Sequence, residues 1–254
     1  MEATGGLTIP AEGVGGSWII KLPSARFEGV PENEYSMMRL ARLIGMDIPD
    51  VQLVPLDGIS GLPDNLGKLQ GEALAVRRFD RSSTGQVHAE DFAQVFGIYP
   101  DAKYSKGSYK NIAQVLRSET GEGDISEFVR RLVFNTLIGN ADMHLKNWSL
   151  IYPDRRTARL SPGYDFVSTI PYIADENMAL KYVKSKRMGD LSLDLLSTLA
   201  AKAGLPEKMV LDTAKETVAR FREAWRSEQR HLPLASGVIS AIEKNVKGVR
   251  LVKE

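Results

Sequence analysis

Two carboxylates and one amide stand near the middle of the chain at spacings that suit the transfer of a phosphoryl group. Asp142 and Asn147 lie five residues apart, and Asp165 follows Tyr164 in a Tyr-Asp-Phe sequence. One carboxylate can accept the proton of an attacking hydroxyl, whereas a second carboxylate and an amide oxygen can hold Mg²⁺ beside phosphates. We therefore predict a catalytic role for Asp142 and a metal-binding role for Asn147 and Asp165.

The stretch 139–148 has a parallel in kinases and also an ordinary alternative. Protein kinases space a catalytic Asp and a metal-binding Asn in this way and place a second metal-binding Asp further along. Lipid-kinase-like enzymes have an Asp-x-His form of the loop, and His144 completes that form here. The alternative is a solvated loop carboxylate at Asp142, because such a pair often arises by chance. The neighbouring elements favour the catalytic interpretation.

A strong amphipathic helix is predicted over 124–138, directly before the loop. Its apolar residues recur at helical spacing, Asp124 and Glu127 resemble a capping box, and Gly139-Asn140 ends it. The predicted hairpin that follows has strands at 148–152 and 155–160. These elements would hold the loop rigidly on both sides.

Alternation within the loop predicts which of its side chains are buried. Met143 and Leu145 alternate with His144 and Lys146. We expect the apolar pair to anchor the loop and the polar pair to face a cleft, where Lys146 either stabilises a transferring phosphate or offsets the charge of Asp165. A zinc site is not indicated, because no second His and no Cys lies near His144.

The first third of the chain predicts a small sheet with one helix. Strands are expected at 17–22, 51–56 and 72–79, and a helix at 32–45. Lys21 lies inside an apolar run and Glu34 opens the helix, so the two can form the Lys–Glu ion pair that grips ATP phosphates in kinases. The alternative for Lys21 is an edge position from which its ammonium group reaches water.

An abrupt change from apolar to charged residues follows the third of these strands. Arg77, Arg78, Phe79 and Asp80 come directly after a buried run, which suits a hinge between a small lobe at 1–80 and a larger lobe at 81–254. The backbone of such a hinge binds adenine in kinase-like folds. Asp80 then either holds the ribose hydroxyls or pairs with a neighbouring arginine.

The larger lobe is predicted to be mostly helical. Helices are expected at 88–96, 109–117, 191–203, 206–228 and 236–246. Residues 99–107 are expected to form a loop, and its lysines, Lys103 and Lys106, are either solvated or contact a protein substrate.

The Gly-rich start of the chain has two interpretations, since glycines serve both hairpin turns and phosphate loops. We favour turns because the spacing fits neither phosphate motif. These glycines are Gly5, Gly6, Gly13, Gly15 and Gly16.

Composition limits the class of protein. The chain has 254 residues, a net charge of +1 and no cysteine, so neither a global basic field nor disulfide or thiolate chemistry is indicated. No apolar run reaches the length of a membrane span, and the start lacks the pattern of a signal peptide. We expect a cytoplasmic protein that has no membrane partner.

Five stretches together resemble HipA-type toxin kinases, in that family's order and over nearly the whole chain: 19–23, 32–35, 73–81, 90–92 and 134–172. The resemblance implies an α+β, two-lobed protein-kinase or lipid-kinase-like fold, with a small antiparallel sheet lobe and a larger, mostly helical lobe. It implies ATP and Mg²⁺ as cofactors. It also implies that residues 77–79 seat adenine and that His144, Lys146 and Tyr164 complete the pocket.

The resemblance further implies a serine/threonine protein kinase that is the toxin of a bacterial type II toxin–antitoxin system. Its substrate would be a serine of another protein, and the resemblance suggests an aminoacyl-tRNA synthetase as that protein. Its partner would be a HipB-like DNA-binding antitoxin, with DNA reached only through that partner.

Two features depart from the family pattern and leave other functions open. The family often has Glu where Arg77 stands, and it has a Gly-rich loop with an autophosphorylated Ser before the lysine strand, which residues 1–16 do not reproduce. The chain is then a fragment, a form with the loop clipped, or a natural short form. One alternative function is a non-catalytic, kinase-like scaffold that binds the antitoxin. Another is a small-molecule or lipid kinase.

Overall fold

The computed structural model describes residues 7–8, 16–24, 26–62, 69, 71–104 and 106–254. Ten strands run through these residues: β1 Leu7–Thr8, β2 Trp18–Lys21, β3 Val51–Pro55, β4 Ile59–Ser60, β5 Glu72–Arg77, β6 Arg81–Ser82, β7 Gly85–Gln86, β8 His88–Asp91, β9 Ser149–Tyr152 and β10 Arg159–Leu160. Seven α-helices are described: α1 Val30–Leu43, α2 Phe92–Val95, α3 Tyr109–Glu119, α4 Glu122–Ile138, α5 Leu193–Ala203, α6 Glu207–Glu228 and α7 Ser236–Gly248.

The small sheet has the order β2-β5-β3, and both pairings are antiparallel. The central strand β5 is apolar and buried along Ala73–Val76, as expected for a strand with a neighbour on each side. Helix α1 packs against β3 and β5 through a fully buried face. That face includes Met37, Met38, Leu40 and Ala41.

The larger part of the protein is built around helix α4, which packs against α3, α6 and α7. The predicted apolar face of α4 is buried, but its predicted capping box is wrong. The helix begins earlier, after Gly121, and Asp124 lies within its first turn. Glu127 instead accepts a hydrogen bond from the buried Arg131, with Nε–Oε1 at 2.8 Å. A partner one turn along the same helix thus replaces the predicted cap.

A second antiparallel sheet, in the order β10-β9-β8, carries the chain out of the stretch 139–148, which is the predicted catalytic loop. Two predictions here need correction. Residues 88–91 form strand β8, paired with β9, and helix α2 begins only at Phe92 because Asp91 and Gln94 form a reciprocal capping box. The returning strand of the hairpin is limited to Arg159–Leu160, since the turn extends well beyond residues 153–154.

The mixed fold with small antiparallel sheets and a larger helical part confirms the predicted fold class. The lobe boundary at 80/81 stays a prediction. The proposed turns at Gly5, Gly6, Gly13 and Gly15 lie outside the described residues, as does much of the 57–68 connection. None of the described helices is long and apolar enough to cross a membrane.

Candidate active site

A cleft of about 400 Å³ lies beside the small sheet, between β2, β5 and the segment that follows the catalytic loop. Ile19, Val76 and Ala89 give it an apolar wall, and Gln94 and Ser149 add polar groups. Nine of the twelve predicted site residues line this cleft: Lys21, Glu34, Arg77, Arg78, Phe79, Asp80, Lys146, Tyr164 and Asp165. Asp142, His144 and Asn147 are not among its lining residues.

Lys21 joins three separate parts of the chain at one wall of the cleft. Its ammonium group donates to Glu34 Oε1 at 2.5 Å and also to the carboxylate of Asp165. The predicted contact between Lys21 and Glu34 is therefore confirmed. The contact with Asp165 was not predicted, because nothing in the sequence indicates how closely two residues 144 positions apart will approach.

Burial and charge act against each other in this ion-paired group. Burial raises the pKa of Glu34 to about 7, although the neighbouring Lys21 lowers it. Burial lowers the pKa of Lys21, but the carboxylates of Glu34 and Asp165 outweigh that effect and raise it above its ordinary value. The lysine therefore stays cationic and provides a positive charge for an anionic ligand in the cleft.

The predicted hinge, residues 77–80, also lines the cleft and carries a charged cluster. Asp80 accepts two hydrogen bonds from Arg78, at 2.8 and 2.6 Å, and a third from Arg81 at 2.7 Å. Its hydrogen bonds with Arg78 hold the pKa of Asp80 below its usual range. Asp80 thus pairs with both neighbouring arginines, which confirms the alternative that we kept open for it.

The ring of Phe79, in the predicted hinge, packs against the ring of Tyr164. The rings of Phe79 and Tyr164 are 5.5 Å apart between centroids, in a tilted arrangement. The hydroxyl of Tyr164 lies 2.5 Å from the Ser149 hydroxyl and donates to the Lys146 carbonyl at 2.8 Å, while burial raises the pKa of Tyr164. Tyr164 therefore ties the turn that carries Asp165 to the end of the catalytic loop.

Asp142 is held at its amide, its carbonyl and its carboxylate. Its backbone N–H donates to Asn140 Oδ1 at 3.0 Å, and its carbonyl accepts from Asn147 Nδ2 at 3.0 Å. Its Oδ1 accepts a hydrogen bond from the hydroxyl of Tyr104. Met143 and Leu145, on either side of His144, are buried as predicted and anchor the loop below.

The turn at Asp165 has an unusual backbone conformation. Asp165 has φ of 61°, in the left-handed region that few residues other than glycine adopt. Its carbonyl accepts a hydrogen bond from Asn140 Nδ2 at 3.3 Å. Asn140 is fully buried and also bonds Asn135, so one amide side chain links helix α4, Asp142 and Asp165.

The oxygen atoms of Asn147 and Asp165 are of the type that suits a magnesium ion. The described residues contain no cluster of three His, Cys, Asp or Glu side chains able to hold a metal by themselves. Mg²⁺ needs no such cluster, because it commonly takes one or two carboxylates and completes its shell with water and substrate phosphates. Asn147 directs its amide nitrogen to Asp142, which leaves its amide oxygen for a metal.

His144 does not share the cleft with Lys146, so that part of the loop prediction is wrong. Its side chain is buried, and its ring lies edge-on to Tyr104 with centroids 5.0 Å apart. Burial lowers the pKa of His144, and its Nδ1 is buried without a hydrogen-bond partner among the described residues. A contact between His144 and the nucleotide stays a prediction.

Sequence reasoning missed residues that position the site without lining it. Asn33, buried in helix α1, bonds the backbone of Ser168 through both atoms of its amide, at 2.8 and 3.1 Å. Thr169 donates its hydroxyl to the Gly139 carbonyl and accepts from the amide of Ala141. The one available signal was a polar residue at a core-facing helical position, which Asn33 provides.

The fold and the cleft together define a protein of the kinase-like class. Residues 6–225 match the sequence model of a protein family that is described as "HipA-like C-terminal domain". The chain belongs to this family, and the predicted resemblance is confirmed. A Sinorhizobium fredii protein named "Putative kinase Y4dM" is 60% identical over 251 residues, which are 98% of this chain and 61% of that protein.

Solved structures are similar over most of the chain. One structure is the complex of HipA, HipB and operator DNA from Shewanella oneidensis. The match covers 91% of this chain and 56% of the matched chain of the complex, with a TM-score of 0.72 at 22% identity. The Helicobacter pylori proinflammatory kinase CtkA matches 95% of this chain and 92% of that chain, with a TM-score of 0.58 at 14% identity. The chain thus spans somewhat over half the length of Y4dM and of the HipA chain.

Proposed function

We propose that this protein is a HipA-like serine/threonine kinase that transfers the γ-phosphoryl group of ATP to a serine hydroxyl of a protein. The observation that carries the proposal is the meeting of Lys21, Glu34 and Asp165 in one cleft. Strand lysine, helix glutamate and metal-binding aspartate are the three groups that kinases bring together around the phosphates of ATP. Three distant segments supply them here.

The nucleotide would lie along the cleft from the hinge to Lys21. The backbone of residues 77–79 would bind the edge of adenine, with Ile19, Val76 and Phe79 around its ring. Asp80 would accept hydrogen bonds from the ribose, sharing its carboxylate with its two arginines. Lys21 would turn from Asp165 to the phosphates, which frees the carboxylate of Asp165.

In the reaction, the acceptor hydroxyl oxygen bonds to the γ-phosphorus while the bond to the bridging oxygen breaks and ADP leaves. Asp142 orients that hydroxyl and accepts its proton. Mg²⁺, when bound by Asn147 and Asp165, would neutralise the charge on the phosphates. Lys146 lines the cleft and would add positive charge next to the transferring group.

The partner is proposed from a solved structure of a relative, and the substrate from the family resemblance of the sequence. The Shewanella oneidensis structure contains HipB and operator DNA, which supports an antitoxin that binds DNA as the partner of this chain, the kinase being the toxin of the pair. An aminoacyl-tRNA synthetase is the protein substrate that we propose, and the cytoplasm is the compartment. The division into lobes at 1–80 and 81–254 is proposed from the change from apolar to charged residues after Val76.

Calorimetric titration with Mg-ATP tests the nucleotide site. We expect the protein to bind Mg-ATP, and Asp165→Ala to remove the dependence of binding on magnesium, because the substitution deletes a metal ligand. Asp175→Ala is the matched control, since Asp175 is exposed and lies outside the cleft.

Two outcomes would count against the proposal. Absence of Mg-ATP binding would contradict it and favour a non-catalytic scaffold, which should then bind a HipB-like antitoxin without nucleotide. Transfer of phosphate to a small molecule or lipid, and to no protein, would instead identify a kinase of another substrate class.

A further inference from the structure

Tyr104 comes from a loop remote in sequence and reaches the carboxylate of Asp142. Its hydroxyl donates a hydrogen bond to Asp142 Oδ1 across 38 residues of chain. The loop that carries Tyr104 is tied down elsewhere, because Lys186 Nζ donates to the Tyr104 carbonyl at 3.2 Å and to the Ala179 carbonyl at 2.7 Å. The contact thus joins the catalytic loop to a segment that follows Asp165.

Two side chains contact the ring of Tyr104, which is 41% exposed. The buried ring of His144 lies edge-on to it at 5.0 Å, and Lys103 Nζ lies 4.9 Å from its centroid. Burial and the hydrogen bond with Asp142 raise the pKa of Tyr104, so the phenol keeps its proton and remains a donor. A neutral phenol beside a carboxylate makes a hydrogen bond of the stronger, charge-assisted kind.

We propose that Tyr104 is a positioning residue that orients the carboxylate of Asp142 for the acceptor hydroxyl. This inference rests on the proposed kinase function. Asn140 and Asn147 already fix the backbone of Asp142, and without Tyr104 its carboxylate would still turn about its last side-chain bond. Tyr104 occupies Oδ1 and leaves Oδ2 to accept the hydroxyl of the incoming serine.

The geometry favours this role over that of an obstacle to the substrate. A carboxylate has two oxygens and about four acceptor positions, so one phenol does not saturate it. The tether from Lys186 and the ring of His144 hold Tyr104 in place. The hydrogen-bond partners of Asp142 come from its own loop and from Tyr104, so the described contacts leave Oδ2 unused.

Tyr104→Phe is the test, because it keeps the ring against His144 and removes only the hydroxyl. The measured quantities are kcat and KM for transfer from ATP to casein as a probe acceptor, and the affinity for Mg-ATP. We expect kcat to fall about tenfold or more, as for loss of a hydrogen bond to a charged group, with unchanged affinity for Mg-ATP and unchanged melting temperature. A merely structural role would lower the melting temperature, and it would not lower kcat while leaving the affinity for Mg-ATP unchanged.

Tyr99→Phe is the matched control, since Tyr99 belongs to the same loop and is 83% exposed. It should leave all three quantities unchanged. An active wild-type protein whose Tyr104→Phe variant keeps its kcat would overturn the inference alone. A raised kcat would also overturn it and show that the phenol blocks the acceptor. A wild-type protein that transfers phosphate neither to casein nor to an aminoacyl-tRNA synthetase would overturn the proposed function together with the inference.

Discussion

Asp142 is the residue on which the proposed chemistry depends most directly. Replacing it by Ala should lower the rate of phosphotransfer by about 10²- to 10⁴-fold, the usual contribution of a general base. The affinity for Mg-ATP should not change, because Asp142 does not line the nucleotide cleft. Single-turnover transfer from radiolabelled ATP and calorimetry measure the two effects separately.

Glu223→Ala removes an exposed carboxylate on helix α6 and serves as the control for that experiment. It should leave both the transfer rate and the nucleotide affinity as they are. If Asp142→Ala retained the wild-type rate, the base would have to be another group.

Glu34 gives the stability of the protein a defined pH dependence. Its pKa is about 7 in the folded protein, raised by burial, against an ordinary value of 4.5. Between these two values the folded state binds a proton that the unfolded state has released. The contribution of Glu34 to stability is therefore fully present below about pH 4.5 and is lost as the pH rises through about 7.

Glu34→Gln isolates this contribution, since Lys21 and Asp165 remain as the charged neighbours. We expect the wild-type free energy of unfolding to decline relative to that of the variant between about pH 5 and about pH 7.5. Urea denaturation at both pH values measures it. A constant difference between the two proteins would mean that Glu34 is ionised throughout this range.

Residue types and spacings indicated much of the candidate site. Lys21 and Asp165 stood out because a lysine in an apolar strand and an acid in an aromatic turn are unusual for their places. Glu34, an acid of the kind that is common near a helix start, was chosen as the counter-ion of Lys21. Tyr104 and Asn140 could not be predicted, because a tyrosine in a polar loop and an asparagine after a glycine are ordinary there. Their importance comes from contacts across the fold.

Helix α4 determines where the catalytic loop begins. It ends at Gly139, which has φ of 71°, and the carbonyl of that glycine accepts hydrogen bonds from the amides of Thr169 and Ile170. The end of the helix and the segment after Asp165 are thus joined at one residue. Because the loop starts there, a change in the backbone conformation of Gly139 would displace Asp142.

Gly139→Ala should destabilise the protein by about 2 kcal/mol or more, since an alanine in the left-handed region costs about 1–2 kcal/mol by itself. In addition, its Cβ would lie 2.7 Å from Cγ1 of Ile170. We expect a lower melting temperature together with a lower transfer rate.

Gly123→Ala is a control at the other end of the same helix. Gly123 has open space around it and lies in the first turn of α4, so alanine should be neutral or stabilise by up to about 1 kcal/mol. Equal effects at Gly123 and Gly139 would contradict the role that we give to the left-handed turn.

Periodicity identified the long elements and failed at the short ones. Helices α3 to α7 agree with their apolar patterns because each buries one continuous face. Residues 88–91 were mistaken for the start of a helix because the sequence His-Ala-Glu-Asp has no strand pattern of its own. Strand β8 exists because it pairs with β9, whose apolar residues come from a region some 60 positions away (Glu90 opposite Leu150).

At the scale of the whole molecule, the sequence indicated two unlike parts with a cleft between them. The change from apolar to charged residues after Val76 predicts a hinge there, and the family resemblance supplied the arrangement of the parts. The orientation that brings Lys21 against Asp165 depends on packing, such as that of α1 against α6, which involves no local pattern.

The contact between Lys21 and Asp165 also has a consequence for the order in which the protein folds. The two residues are 144 positions apart. Closing so long a loop costs conformational entropy, and this cost comes before the contact can stabilise the fold. We expect this contact to form after the rate-limiting step, so that Lys21→Met would speed unfolding in stopped-flow experiments and leave refolding nearly unchanged. The side chain proposed to grip phosphate would then be secured late, after the two parts of the molecule have met.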